Sequence, residues 1–179
     1  GESAEAQRAY EAALAIHRET GSRQQEAITL ANVGILLHQQ GQLQQAAEQY
    51  RAALAIHREI GNRRGEGVTL TQMGDLHQAQ RAFAAARTCY DEALRIHREV
   101  GNLRFEAGTL SNLGAMLAAQ GDPSAGLEAM ASAERRLREL GDLVNLAVLL
   151  CSKGEVLEAH GDPAAARRAL AEAQALAAQ

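Results

Sequence analysis

Two sets of glycines recur with a period of 40 residues: Gly34, Gly74, Gly114 and Gly154, and Gly21, Gly61, Gly101 and Gly141. The text around them recurs as well. Ala13-Leu-Ala-Ile-His-Arg-Glu19 returns at 53–59 and, with one change, at 93–99. Leu30-Ala-Asn-Val-Gly34 returns as Leu70-Thr-Gln-Met-Gly74, Leu110-Ser-Asn-Leu-Gly114 and Leu150-Cys-Ser-Lys-Gly154. A period of this size marks stacked supersecondary units, none of which buries its apolar face alone. The unbroken period argues for one array over all 179 residues.

Within each period the apolar spacing is helical. Ala6, Tyr10, Ala13 and His17 fall on one face of a 3.6-residue period, and Gly21 then stops the helix as a C′ glycine does. Ser22 stands at the next N-cap position, with Glu26 in the first turn after it; Asn62, Asn102 and Asp142 repeat that punctuation. Leu30, Val33 and Leu37 form the stripe of the following helix, which ends before Gly41. Asp122-Pro123 and Asp162-Pro163 open later helices with an N-cap and a proline at N1. Turns this short make consecutive helices antiparallel neighbours.

The unit is thus a helical hairpin, A then B. The chain reads as a lone B helix over 1–20, then AB repeats at 21–60, 61–100, 101–140 and 141–179. Helices are expected at 2–20, 23–40, 43–60, 63–80, 83–100, 103–120, 123–140, 143–160 and 163–178. Where A crosses B, Gly34 and Ala46 and their equivalents are expected to let the axes approach.

Aromatic residues are 3% of the chain and Trp is absent, so the core must come from many close helix contacts. A net charge of −4 argues against a nucleic-acid surface, which needs a clustered basic field. No 18-residue apolar run is present to cross a membrane, and no charged and apolar leader is visible. Cys89 and Cys151 stand at non-equivalent places in their repeats, which suits two free thiols in a reducing, cytoplasmic setting. The chain opens without Met, and Gly1 aligns with Gly41 in mid-repeat, so it reads as a piece of a longer protein. Ends of that kind leave apolar surface at Tyr10, Ala13 and Leu14 and at Leu170 and Leu176, and end-to-end self-association is expected there.

The residues offer little chemistry. His17, His57 and His97 stand in register, but stacked repeats place equivalent side chains about 10 Å apart, whereas zinc needs ligand nitrogens at about 2 Å. Leu137 takes the same place in the third AB repeat, so His57 is expected to be a partly buried packing histidine, hydrogen-bonded to Glu66 or to a turn carbonyl. The Arg-Glu pairs at 18–19, 58–59, 98–99 and 138–139 read as solvated helix ends, with Arg favourable near the C-terminal dipole. Gly65-Glu-Gly67 reads as two glycines in a helix start rather than a nucleotide loop. No catalytic residue, cofactor or metal site is expected, and the chain is not expected to be an enzyme.

The Leu-x-x-Leu-Gly-x-x-Leu pattern of helix A and the Ala-x-x-x-Tyr-x-x-Ala-Leu pattern of helix B resemble the tetratricopeptide repeat, in its longer version of roughly 40 residues. The resemblance implies an all-α, right-handed superhelical solenoid of stacked antiparallel helix pairs, nine helices in all, with the A helices lining a concave groove. It also places the groove residues: Asn32, Gln72, Asn112 and Ser152 two before each repeat glycine, and Ile35, Asp75, Ala115 and Glu155 just after it. One turn earlier lie Ile28, Val68, Gly108 and Val148; one turn later come His38, Gln78, Ala118 and Glu158.

Asn32, Ile35, Gln72, Asp75, Asn112, Glu155 and Glu158 are the candidate peptide-binding residues, with the amides holding peptide backbone. The carboxylates have no Lys or Arg among those places to oppose them, so the partner is expected to be neutral to basic. The basic clamp of the chaperone-tail subgroup is absent. The resulting function is a protein–protein interaction scaffold within a larger intracellular signalling or regulatory protein. The rivals are an element that assembles with copies of itself or with a neighbouring domain, and a small-ligand or peptide-pheromone sensor.

Overall fold

The helical periodicity is realised throughout the computed structural model, which describes residues 2–178. Its helices are α1 (Glu2–Glu19), α2 (Arg23–Gln39), α3 (Leu43–Glu59), α4 (Arg63–Ala79), α5 (Phe83–Glu99), α6 (Leu103–Ala119), α7 (Pro123–Leu140), α8 (Leu143–Ala159) and α9 (Pro163–Ala177). Each described end falls within a residue of the expected one. Among the described residues there are nine helices and no strand: an all-α repeat fold.

The B helices end as the glycines require. The Ser22 N–H reaches the His17 carbonyl at 2.8 Å while the Gly21 N–H reaches that of Arg18 at 3.3 Å, a Schellman pair. Gly21 sits at φ 65°, in the left-handed region, and Arg81 holds the same conformation without glycine's freedom, at φ 59°. The A-helix starts differ from expectation in part. Asn62 Oδ1 accepts from the Gly65 N–H at 2.9 Å, and Asp122, Asp142 and Asp162 cap their own helices in the same way. Ser22 and Asn102 hold the N-cap position without a side-chain cap bond. The Ser22 hydroxyl instead lies 2.9 Å from that of Thr20, a nearer partner than the backbone.

At Gly34 and Gly74 the missing side chain makes room for a tyrosine ring rather than for the alanine named from sequence, whereas at Gly114 and Gly154 the nearest atoms include the backbone of the equivalent residues, Gly126 and Ala166. A Cβ on Gly34 would stand 2.5 Å from the Tyr50 ring, and one on Gly74 would run into the ring of Tyr90. The tyrosine lies across the glycine in the space between A and B, and Ala46 and Ala86 are fully buried one turn away. Where Met130 replaces the tyrosine, the backbones close further: a Cβ on Gly114 would stand 2.7 Å from the Gly126 carbonyl. An alanine exchanged for glycine at 126 thus accompanies a closer crossing.

The chain divides into two compact units, one ending at Ile96 and the other beginning at His97, inside α5. In the first, α2 packs with α3 and α4, and its core includes Leu37, Ala46, Tyr50 and Leu76, with Leu54, Leu70, Ala93 and Ile96 beyond. In the second, α6 packs with α7 and α8, and α8 with α9; Met116, Met130, Leu146, Leu149 and Leu150 are buried there.

Candidate functional site

Two consecutive A helices, α2 and α4, lie side by side in the first unit. There Ile28, Ala31 and Asn32 of α2 lie beside Val68, Thr69 and Gln72 of α4. These six line one cavity of about 310 Å³, closed by Gln24, Asn62, Arg64, Gly65 and, from the end of α3, His57. Four of the groove places read from the sequence (28, 32, 68 and 72) therefore meet in one concavity.

Gly65 makes room for the His57 ring at one wall of the cavity. A Cβ there would stand 2.6 Å from His57 Nδ1, so any other residue would collide with the ring or displace it. The equivalent places hold Gln25, Phe105 and Asn145. In the second unit, Phe105 packs at 5.8 Å, centroid to centroid, on the ring of His97.

His57 is buried more fully than the partial burial expected, with 2% of its surface exposed. It is not hydrogen-bonded as expected: Nδ1 is enclosed and has no partner. Burial lowers its pKa, with the charge of Glu66 partly opposing, so the ring is neutral at pH 7. Glu66 is already engaged by Arg58 Nε at 2.8 Å and by Arg63. Gln72 Oε1 is likewise enclosed without a partner. The cavity thus combines apolar walls with one arginine and no carboxylate.

The other candidates are placed differently. Ile35 is half-buried and packs against the Leu37–Tyr50 core, which takes part of its side chain out of any groove. Asp75 accepts the Tyr90 hydroxyl at 2.7 Å, with the Gln78 carboxamide 2.9 Å from the same oxygen. Its carboxylate serves the tyrosine that covers Gly74, and together with burial it drives the Tyr90 pKa upward. Asn112, Glu155 and Glu158 belong to the second unit, Asn112 half-buried on α6 and the two glutamates exposed on α8. Of the amide ladder, Asn32 and Gln72 share the cavity.

The arginines of the Arg-Glu pairs are more than solvated ends. Arg18, Arg58 and Arg98 each turn back across the loop to a buried glutamate of the next A helix: Glu26 at 2.9 Å, Glu66 at 2.8 Å and Glu106 at 2.8 Å. Burial raises the pKa of Glu26 and Glu66, and the arginine hydrogen bonds more than offset it, leaving both carboxyls below their usual value. The sequence signal was an Arg–Glu spacing of eight recurring every 40 residues. It lapses at Leu146, and there Arg138 bonds Glu134 and Glu172 instead, at 2.7 Å each.

Among the described residues no three His, Cys, Asp or Glu side chains come together to hold a metal ion. No described helix is long and apolar enough to cross a membrane. Cys89 and Cys151 are free.

Helical hairpins with a glycine under a B-helix aromatic, stacked so that A helices line a concavity, define an interaction-repeat fold. The model of the tetratricopeptide repeat matches residues 1–59, 26–99 and 65–139, and the chain belongs to that family. No protein of curated function matches it. Among solved structures, BtubC (BKLC) from P. vanneervenii is similar with a TM-score of 0.83 at 22% identity, over 99% of this chain and 74% of that one. A Podosopora anserina protein of nearly identical TPR-like repeats is similar with a TM-score of 0.69 at 14% identity, over 99% of this chain and 89% of that one. At such identities the likeness is one of fold, and the fold is one that is typically non-catalytic.

Proposed function

We propose that the chain is a protein-interaction scaffold without catalytic activity, which holds an extended segment of a partner protein along the concavity between α2 and α4. The observation that carries the reading is the convergence of Ile28, Asn32, Val68 and Gln72 on one open cavity. Apolar walls take side chains while carboxamides, which both donate and accept, answer peptide backbone. Family membership supports a protein as the partner, and the net charge of −4 speaks against nucleic acid.

The partner segment is neutral where it enters the cavity, since no carboxylate lines it. A neutral to basic partner is part of this reading, and Glu155 and Glu158 are carboxylates exposed on α8 of the second unit. A cytoplasmic, signalling setting and a single working array over 1–179 belong to it too, the first supported by the free cysteines.

The test is selection from a random seven-residue peptide library on the intact chain, repeated with Asn32→Ala and Val68→Asp. Binders weakened by both substitutions are expected. Binders indifferent to both would overturn the reading.

Assembly with a further copy is the second reading, and one observation favours it. Val144 and Val148, one turn apart on α8, are 76% and 63% exposed, an apolar pair of the kind that partners cover. Sedimentation equilibrium that shows self-association, lost in Val148→Asp, would support it. Leu14, expected at the exposed end, is buried in the core with Leu30 and Ile56; end-to-end contacts through Tyr10, Leu170 and Leu176 would survive the substitution.

A further inference from the structure

We propose that a cavity of the second unit, between α7, α8 and α9, binds a carboxylate carried on a short aliphatic stem. The proposal is independent of the groove reading, which concerns the first unit.

The cavity has a volume of about 460 Å³. Leu150 and Leu157 of α8 and Ala165 and Ala169 of α9 are its apolar lining. Glu134 of α7, Lys153 of α8, and Arg168 and Glu172 of α9 are its charges. The same place three repeats earlier, between α1, α2 and α3, holds a cavity of about 470 Å³. There Leu14, Val33 and Glu48 stand where the later cavity has Glu134, Lys153 and Arg168. The concavity therefore comes with the fold, and its positive charge is particular to the later one.

The carboxylates of the later cavity are already engaged. Glu134 Oε2 accepts from Lys153 Nζ at 2.7 Å, and its Oε1 accepts from Arg138 Nη2 at 2.7 Å. Burial raises the pKa of Glu134, and these two partners more than offset it, so the carboxyl lies below its usual value and is ionised. Glu172 is held by the same Arg138, at 2.7 Å. Three cations thus stand against two carboxylates, because Arg168 forms no ion pair among the described residues. One positive charge is left over. Arg168 is exposed and the Lys153 side chain is 23% exposed, so both are within reach of a ligand. An ammonium has three donors, and Glu134 takes one of them.

The unanswered groups are donors, which selects an acceptor with one negative charge. A carboxylate supplies that charge and presents two coplanar oxygens to a guanidinium. A doubly charged phosphate would exceed the surplus, and a cation would add to it. The leucines and alanines suit an apolar stem behind the head group. That stem belongs either to a free aliphatic acid or to a glutamate side chain of a partner; the chemistry that recognises it is shared.

The experiment follows ¹⁵N amide shifts of the intact chain at fixed ionic strength. Sodium butyrate stands for a free acid, N-acetylglutamic acid α-amide for a partner's side chain, and butylammonium chloride is the control. Saturable shifts at Lys153, Arg168 and Ala169 are expected from a carboxylate probe and not from butylammonium. Tighter binding of butyrate assigns the site to a free acid, and tighter binding of the capped glutamate assigns it to a partner. Arg168→Gln should weaken binding about tenfold with an unchanged melting temperature, while Arg168→Lys should retain most of it. Lys153→Met, which copies Met73, should weaken binding as well; the exposed Arg168 variants decide the matter if that protein folds poorly.

No saturable shift from either carboxylate up to about 50 mM would overturn the proposal, since that lies past the millimolar affinity a ligand this small can reach. Equal shifts from butylammonium would overturn it too, as would carboxylate binding that survives Arg168→Glu, the residue found at 48.

Discussion

Arg58 Nε donates to Glu66 Oε1 at 2.8 Å, from the last turn of α3 to the first turn of α4, across the left-handed Gly61. The glutamate is 6% exposed and the arginine 49%, so the bond joins a buried anion to a half-solvated cation. It ties the end of one hairpin to the start of the next, and Arg63 holds the same carboxylate from its own helix.

Arg58→Ala should therefore lower the unfolding free energy by about 1–2 kcal/mol, one charged hydrogen bond discounted for solvent screening. Arg58→Ala with Arg63→Ala should cost more than the sum, because the buried carboxylate is then left alone. Glu66→Leu, which copies Leu146, should be close to neutral, within about 1 kcal/mol. Urea unfolding of the variants checks all three. A Glu66→Leu protein less stable than the double arginine variant would contradict this account.

Acid should act in two stages. The folded pKa of His57 is lowered, so as pH falls below about 6.5 the unfolded chain takes a proton that the folded chain resists, and stability drops. His57→Leu should remove that first loss. The folded pKa values of Glu26 and Glu66 are lowered as well, and their contribution is complete above the usual carboxyl range and is lost as pH falls through it. Thermal unfolding followed from pH 8 to pH 3 should show the first stage disappear in His57→Leu and the second persist.

Gly34→Ala should destabilise by about 1–3 kcal/mol through overpacking against Tyr50. The neighbour there is a ring, so Tyr50→Leu, the residue found at 170, should recover part of the loss in a double-mutant cycle. Gly114→Ala should be harder to rescue, because its Cβ would meet the Gly126 carbonyl, which is backbone. Guanidinium titrations of the four proteins give the comparison; full rescue at Gly114 by shortening Met130 would contradict it.

Arg81→Gly should stabilise the chain by roughly 1 kcal/mol, since arginine holds a left-handed φ of 59° that glycine adopts freely. The gain is reduced by losing the Arg81 contact over the Phe83 ring, at 5.6 Å. A fall in melting temperature would show that the ring contact outweighs the backbone term.

The helices and their ends were legible because glycine, proline and apolar period are local signals, and each acted where it stood. What glycine 34 faces was less so: the sequence shows a small residue, not which neighbour fills the gap, and Tyr50 reaches it from four residues beyond Ala46. Ser22 looked like a cap, yet its hydroxyl went to that of Thr20, two residues before it. The Arg58–Glu66 bond was visible as a spacing of eight but reads as an exposed pair until the loop folds the glutamate inward. Gly65 is the sharpest case. In the sequence it is a poor helix residue; in the structure its missing side chain is the room that the His57 ring takes.

The central claim is that the face between α2 and α4 is the one that binds. It is tested most directly by the amide shift map of the ¹⁵N-labelled chain titrated with a library-selected peptide. The account predicts saturable shifts concentrated at Ile28, Asn32, Val68 and Gln72, with the side-chain amide of Gln72 among them. Shifts confined instead to the exposed B-helix residues, such as Arg51 and Ala55 on α3, would contradict it.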